Sequence, residues 1–151
     1  MSTKDETGTR DVSPEFAAAD TAAEFVEING NRLAVEVLGQ RDAPVMITHH
    51  GAPGLGSRAE PRASFGRLAD TYRVVVFDAR GSGESEGRGP FSHAQWAADI
   101  DGLREWIGAE RIIMAGGSYG GYMAMEYAIR YPDRVAALVL RDTAADNSHS
   151  E

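Results

Sequence analysis

The sequence predicts an α/β fold, a mostly parallel sheet with helices on both faces. One observation is an early hairpin pattern that is followed by repeated strand–helix units. Another is the stretch 112–125, which reads as a buried strand, a glycine-rich turn carrying one serine, and a helix. The later strands are also apolar without clean alternation, as expected where helices cover both faces of a sheet.

The first half of the chain predicts three strands and a helix. Residues 25–28 and 32–38 form a hairpin around Asn29 and Gly30, a favoured two-residue turn. A third strand at 45–49 leads into the glycine- and proline-rich loop 50–56. The next helix has Pro61 in its first turn. Its predicted inner face consists of Phe65, Leu68 and Ala69.

A fourth strand and a capped helix follow. Residues 72–77 are strongly β-branched, which favours a buried strand. Ser92 and Gln95 have the spacing of a capping box, in which each side chain satisfies the other's backbone amide. Gly108 is placed to end the helix. The apolar stripe of this helix recurs at intervals of four and three residues: Trp96, Ile100, Leu103 and Ile107.

The last elements surround the glycine-rich turn. A fifth strand precedes the turn, and the helix after it ends before Pro132. We predict that Tyr122, Met125 and Ile129 form the buried face of this helix. Residues 135–140 are predicted to be a sixth strand.

Composition restricts the classes of function. The 151 residues contain no cysteine, which excludes disulfides, thiolate metal sites and a cysteine nucleophile. The net charge of −8 argues against a nucleic-acid partner. No apolar run is long enough for a membrane span, and no apolar signal-peptide core is present, so a cytoplasmic location is expected. No residue spacing suggests a metal site or a phosphate-binding loop, so no cofactor is expected.

Residues 1–22 differ in composition from the rest. They are polar and rich in small residues, which predicts a disordered tail. Residues 23–151 then belong to a single core domain, and 42% of the whole chain is apolar, enough to form a core.

The turn at 116–120 reads G-G-S-Y-G and fits the pattern G-x-S-x-G. This pattern is typical of a nucleophile elbow, in which a serine is held on a tight strand-to-helix turn. The alternative is a small-residue turn without chemistry. The predicted strand before it and helix after it favour the elbow.

Three loops together resemble the α/β-hydrolase family. In order, residues 50–54 read H-G-A-P-G, residues 78–85 read D-A-R-G-S-G-E-S, and residues 116–120 read G-G-S-Y-G. The likeness is greatest to the proline iminopeptidase-like branch, which has H-G-G-P-G, D-Q-R-G-x-G-x-S and G-G-S-W-G in these places. Ala52, Ala79 and Tyr119 depart from that branch. The resemblance covers about residues 25–151, the N-terminal half of the family's fold.

The resemblance implies a role for several residues. Ser118 would be the nucleophile, and the backbone amides of Tyr119 and Ala52 would form the oxyanion hole. The substrate would be a small molecule or short peptide with an ester, amide or carbon–carbon bond. The positions of three histidines predict other roles. We expect His50 to hold its loop, with a catalytic role as the alternative, His49 to end a strand, and His93 to be solvated at a helix start. We expect Asp78 and Arg80 to brace the loops around the elbow, with a catalytic role as the alternative. We expect Trp96 to lie in the core and Trp106 on the helix surface.

The family also needs a histidine base and a carboxylate after the serine in chain order. The candidates after Ser118 are Asp133, Asp142, Asp146 and His149. An Asp142–His149 pair is disfavoured because no strand fixes the segment that carries His149. We therefore expect a fold truncated after the sixth strand, with the acid and the histidine beyond Glu151 and a sheet edge that could self-associate. The alternative is a non-catalytic α/β-hydrolase-fold protein that binds a small molecule or a partner.

Overall fold

A computed structural model describes residues 22–145. The predicted disordered tail, apart from its last residue, lies outside this range, as do Asp146 and His149. The strands are β1 (Glu24–Ile28), β2 (Asn31–Leu38), β3 (Val45–His49), β4 (Arg73–Phe77), β5 (Ile112–Gly117) and β6 (Val135–Arg141). The α-helices are α1 (Ala59–Phe65), α2 (His93–Ile107) and α3 (Tyr119–Arg130), with short 3-10 helices at Gly66–Asp70 and Pro132–Arg134.

The described strands form one six-stranded sheet in the order β1-β2-β4-β3-β5-β6. The β1–β2 hairpin and the β2–β4 pair are antiparallel. The pairs β3–β4, β3–β5 and β5–β6 are parallel. The predicted α/β fold is confirmed. The parallel strands bring the loops after β3, β4 and β5 to the same edge of the sheet, where open α/β sheets bind ligands.

Successive residues of the central strands enter two separate cores, because side chains alternate across a sheet. On β4, Val75 contributes to the core beneath α2 and α3, while Val74 and Val76 face the core that contains Phe65 of α1. Ile47 of β3 lies in the first core. Helices therefore cover both faces, and the strands need no polar face.

Helix α2 matches its predicted register. Ile100 and Leu103 are fully buried, and Gly108 ends the helix in the left-handed conformation at φ 79°. At the other end, the Ser92 hydroxyl accepts a hydrogen bond from the Gln95 amide at 3.1 Å. The Gln95 side chain instead donates to Asp99, at 3.0 Å, so the predicted reciprocal half of the capping box is wrong.

The predicted buried face of α3 is also wrong. Met123, Ala124 and Tyr127 are fully buried, whereas Ile129 is 76% exposed. The reason is the close approach of the helix to the sheet at Gly120, where a Cβ atom would overlap the carbonyl oxygen of His49. Because Gly120 must face the sheet, the residues three, four and seven positions later face it too.

The helix after the third strand is shorter than predicted. Phe65 is buried and Ala69 packs against the second core, as expected. Leu68 is 36% exposed, because the chain tightens into a 3-10 helix after Phe65 and directs this side chain outwards.

Strand β6 lies at the edge of the sheet and, among the described strands, pairs with β5 alone. Its apolar residues Leu138, Val139 and Leu140 are each more than a third exposed. Self-association through this edge stays a prediction. Within residues 22–145, no helix has the length and apolar character needed to cross a membrane.

Candidate active site

Ser118 occupies the turn between β5 and α3, the position that the sequence predicts. Its backbone has φ 54° and ψ −125°, a strained conformation for a residue with a side chain. The turn is fixed on the β6 side, since the Ser118 amide donates to the Arg141 carbonyl at 3.0 Å. The Thr143 hydroxyl donates to the Ser118 carbonyl at 2.8 Å. The side chain of Ser118 makes no capping bond to α3 and is exposed.

Two glycines allow this turn to form. A Cβ atom at Gly116 would overlap the Gly120 carbonyl and lie 2.6 Å from the Gly121 nitrogen. A Cβ atom at Gly120 would lie 2.8 Å from the carbonyl carbon of His49. Real Cβ atoms essentially never come within 3.0 Å of such neighbours. The G-x-S-x-G pattern is therefore required by the contact between β3, β5 and α3.

The loop after β3 lies beside Ser118. A Cβ atom placed on Gly51 would be 4.0 Å from the Ser118 hydroxyl oxygen. Ala52 follows at φ 44°, a conformation that is rare for alanine. The loop is held from the other side by Ser82, whose hydroxyl accepts from the Gly54 amide at 2.7 Å. That the Ala52 and Tyr119 amides converge on one point stays a prediction.

A cavity of about 500 Å³ opens at Ser118. The residues that line it come from α2, α3 and the segment after β6: His93, Ser118, Tyr119, Tyr122, Asp142, Thr143 and Ala144. Asp142 has a positive φ of 47° and directly follows β6, at the same edge as Ser118. The structure therefore brings Ser118, Tyr119 and Asp142 to one cavity.

His93 lines the cavity, although its position in the sequence predicts a solvated side chain. Its ring is half-buried, and its Nε2 atom is hydrogen-bonded to the Tyr119 hydroxyl. The position of His93 at the start of α2 could have indicated that it lies near the site. In a parallel sheet, the helix that follows a strand begins at the carboxyl edge, where the site lies.

Comparison with known proteins agrees with this geometry. The sequence model of the family described as alpha/beta hydrolase fold matches residues 44–151. The chain belongs to the α/β-hydrolase fold family. A proline iminopeptidase of Pestalotiopsis fici is 45% identical over 130 residues, 85% of this chain and 46% of that protein. A proline iminopeptidase of Neisseria gonorrhoeae is 38% identical over 112 residues, 70% of this chain and 34% of the relative.

Solved structures of hydrolases and esterases also align with most of this chain. A thermophilic esterase from Thermogutta terrifontis aligns with a TM-score of 0.73 at 36% identity. The alignment covers 85% of this chain and 49% of the esterase chain. A meta-cleavage product hydrolase from Pseudomonas fluorescens has a TM-score of 0.76 at 26% identity, covering 85% and 47%. The chain spans between a third and a half of the length of the two proline iminopeptidases.

In this α/β-hydrolase chain, Asp78 braces the loops next to the site. Its buried carboxylate accepts from the Arg58 amide at 2.6 Å and from the Glu84 amide at 2.9 Å. It also pairs with the Arg58 guanidinium. These bonds tie the loop after β4 to the segment before α1.

Arg80 forms the second brace. Its guanidinium donates to both oxygens of Asp99 on α2, at 2.8 and 2.9 Å, and both side chains are 2% exposed. It also donates to the Asn29 carbonyl at 3.2 Å and the Arg88 carbonyl at 2.8 Å. Trp96 of α2 donates to the Arg80 carbonyl at 3.2 Å. One buried cation therefore joins the hairpin turn, the loop after β4 and α2.

His50 holds its loop through both ring nitrogens. Its Nε2 accepts a hydrogen bond from the Ala79 amide at 3.0 Å. The proton therefore resides on Nδ1, which donates to the Gly51 carbonyl at 2.7 Å. The ring is fully buried, and these contacts fit the structural role expected from the sequence.

His49 is also fully buried, with its ring edge-on to Phe77 at 5.4 Å. Its Nδ1 donates to the His50 carbonyl at 2.7 Å, and its Nε2 has no partner among the described residues. Burial, followed by the neighbouring His50, lowers the pKa of His49 from 6.5 to about 3. The folded protein therefore keeps this imidazole neutral.

This burial predicts a specific acid sensitivity. The unfolded chain binds a proton at His49 below pH 6.5 and the folded chain does not, so stability falls as the pH drops from 6.5 toward 3. At about pH 5 the loss is about 2 kcal/mol relative to about pH 7.5. The variant His49→Asn keeps a donor for the His50 carbonyl but does not titrate.

Urea denaturation of both proteins at the two pH values measures this effect, and titration of other groups cancels in the difference. We subtract the free energy of unfolding of the parent from that of His49→Asn. We expect this difference to be about 2 kcal/mol more positive at about pH 5 than at about pH 7.5. A difference that is the same at both pH values would show that His49 titrates normally in the folded chain.

Proposed function

We propose that Ser118 is the nucleophile of a serine hydrolase that forms an acyl-Ser118 intermediate. The supporting observation is the turn itself: a serine at φ 54° and ψ −125°, between two glycines that admit no Cβ, opening on a cavity of about 500 Å³. Such backbone strain costs on the order of 1–3 kcal/mol and concentrates at functional sites.

Two backbone amides would stabilise the developing negative charge. Tyr119 is the first residue of α3, where an amide has no acceptor within the helix. Ala52 follows Gly51, which lies beside the Ser118 hydroxyl. Loss of one such donor typically lowers the rate by roughly 10²–10³-fold, so these amides would supply a large part of the catalysis.

The proton acceptor would come from outside residues 22–145. Attack by a serine hydroxyl at neutral pH requires a base that takes its proton. His50 uses both ring nitrogens, His49 is buried and uncharged, and the Nε2 of His93 is bonded to Tyr119. Asp142 lines the cavity at the end of β6, where it could orient an incoming imidazole.

The relatives support the proposed substrate class. The curated relatives named proline iminopeptidases favour an amide bond in a short peptide, and the esterase structure favours an ester. Tyr119 and Ala52, whose amides would form the oxyanion hole, depart from the iminopeptidase pattern. We therefore propose an ester, amide or carbon–carbon bond of a small molecule or short peptide.

Chemical rescue tests the proposal. The purified chain is treated with a fluorophosphonate, with and without free imidazole, and the adduct is followed by intact-protein mass spectrometry. We expect slow single labelling that imidazole accelerates at least about tenfold, since general bases contribute roughly 10²–10⁴-fold. Ser118→Ala should abolish labelling, and Ser57→Ala, an alteration in a neighbouring loop, should leave it unchanged.

Turnover gives the complementary measurement. Hydrolysis of p-nitrophenyl acetate and proline p-nitroanilide by the chain alone should lack an enzyme-like rate, because only a residual of roughly 10³–10⁴ over water survives loss of the triad. Robust turnover that Ser118→Ala abolishes would place the base within these 151 residues and contradict the expectation that the catalytic histidine lies beyond Glu151.

The second candidate is a non-catalytic α/β-hydrolase-fold protein that binds a small molecule. The observation that favours it is the commitment of His49, His50 and His93 to other contacts. It predicts no labelling of Ser118, with or without imidazole.

A further inference from the structure

Three rings form one wall of the cavity beside Ser118. His93, Tyr119 and Tyr122, here called the aromatic wall, all line the cavity. Their ring centroids are 5.8 Å apart for His93–Tyr119, 5.2 Å for His93–Tyr122 and 5.7 Å for Tyr119–Tyr122. These separations lie in the range of favourable aromatic packing. The wall is therefore a packed unit rather than three independent side chains.

A hydrogen bond fixes the orientation of Tyr119 within this wall. Burial, and the nearby Tyr122 and Glu126, raise the pKa of the Tyr119 phenol. The phenol thus stays protonated and can donate to Nε2 of His93. His93 in turn follows the α2 cap at Ser92, so a regular helix end positions its ring.

The remaining lining determines the charge of a suitable ligand. Among the described residues that line the cavity, Asp142 supplies a carboxylate and none is a lysine or arginine. Thr143 and Ala144 complete the lining with small side chains. An anionic group would face Asp142 without a cation to compensate it, whereas an uncharged flat ring can stack on the wall.

We infer that the aromatic wall is a binding subsite for an uncharged planar ring, and that His93 is a positioning residue that holds Tyr119 in place for it. This inference rests on the proposed function, since it places the ring next to the nucleophile. It narrows the substrate class to compounds that carry a planar ring close to the scissile bond.

Trp96 provides a reporter for ring binding. Its ring lies 6.1 Å from that of His93, centroid to centroid. The only other tryptophan is Trp106, on the surface of α2 at 37% exposed. Trp106→Phe should therefore leave Trp96 as the sole tryptophan, and its emission can be followed as ligand is added to the full chain.

The first test compares two amides and one carboxylate of matched size, using the Trp106→Phe variant. We expect benzamide to bind about fivefold tighter than cyclohexanecarboxamide, the fold-change expected for aromatic stacking. Benzoate should bind more weakly than benzamide because of Asp142. The same ranking should persist in Ser118→Ala. Equal affinity for benzamide and cyclohexanecarboxamide would overturn the subsite.

The second test examines the role of His93. His93→Phe and Tyr119→Phe each remove the hydrogen bond while keeping a ring. Each should weaken benzamide binding about threefold, and the double variant no further, because both changes break the same contact. Tyr72→Phe, an aromatic outside the cavity lining, is the control and should bind as the parent does.

Thermal unfolding of every variant checks that the fold is retained. Additive losses, or no loss in either single variant, would overturn the positioning role of His93. Ring binding does not require acylation, so the two proposals fail separately. If the fluorophosphonate does not label Ser118 but benzamide still binds more tightly than cyclohexanecarboxamide, the proposed function is overturned. If Ser118 is labelled but the two amides bind equally well, this inference is overturned.

Discussion

Replacing Gly120 by alanine should destabilise the protein by at least about 3 kcal/mol, the upper part of the range for overpacking. The added Cβ would overlap the His49 carbonyl oxygen, lie 2.8 Å from its carbon, and lie 3.0 Å from the His50 carbonyl oxygen. All three obstacles are backbone atoms, so no side-chain rotation relieves them. Helix α3 must then move away from β3, which also displaces Ser118.

Gly66→Ala is the matched control for this experiment. A Cβ at Gly66 would meet only the Leu38 side chain, at 3.8 Å, and its φ of −56° suits alanine. Its stability should equal or slightly exceed that of the parent, by up to roughly 1 kcal/mol. Urea denaturation measures both variants. A Gly120→Ala protein as stable as Gly66→Ala would contradict the close contact between α3 and β3.

Removing the buried cation of Arg80 should cost about 3–5 kcal/mol, the usual cost of breaking a buried ion pair. Arg80→Met keeps much of the side-chain volume but leaves Asp99, 2% exposed, without its guanidinium. The Asn29 and Arg88 carbonyls lose a donor as well. The effect should reach the site, because Ser82 of the same loop holds the Gly54 amide.

A surface ion pair on α3 provides the comparison. Glu126 and Arg130 occupy positions i and i+4, with Arg130 Nη2 2.7 Å from Glu126 Oε1. The Arg130 side chain is 43% exposed. Arg130→Met should change stability by about 0.5 kcal/mol or less. Equal losses for Arg130→Met and Arg80→Met, measured by urea denaturation, would show that the Arg80 network contributes no more than a surface contact.

Features that depend on neighbouring residues in the chain could be predicted from the sequence. The Asn29–Gly30 hairpin turn, the Gly108 helix end and the position of Ser118 are each confirmed. In every case a few adjacent residues determine the backbone conformation, so the residue types in a short segment are enough to predict the turn.

Features that depend on how elements pack could not be predicted in the same way. The apolar residues of α3 permit more than one buried face, and the contact of Gly120 with β3 selects the one that carries Tyr127. His93 was missed because a histidine at a helix start is ordinarily solvated. Its partner Tyr119 comes from another helix, 26 residues away in sequence.

Peptide-level mass spectrometry of the fluorophosphonate-treated chain tests directly whether Ser118 is a nucleophile. We expect the adduct to map to Ser118, within the peptide that also contains Gly116 and Gly120, and imidazole to increase its yield. An adduct on another serine, or an adduct spread over several serines at similar yield with Ser118 unmodified, would show that Ser118 is not the nucleophile.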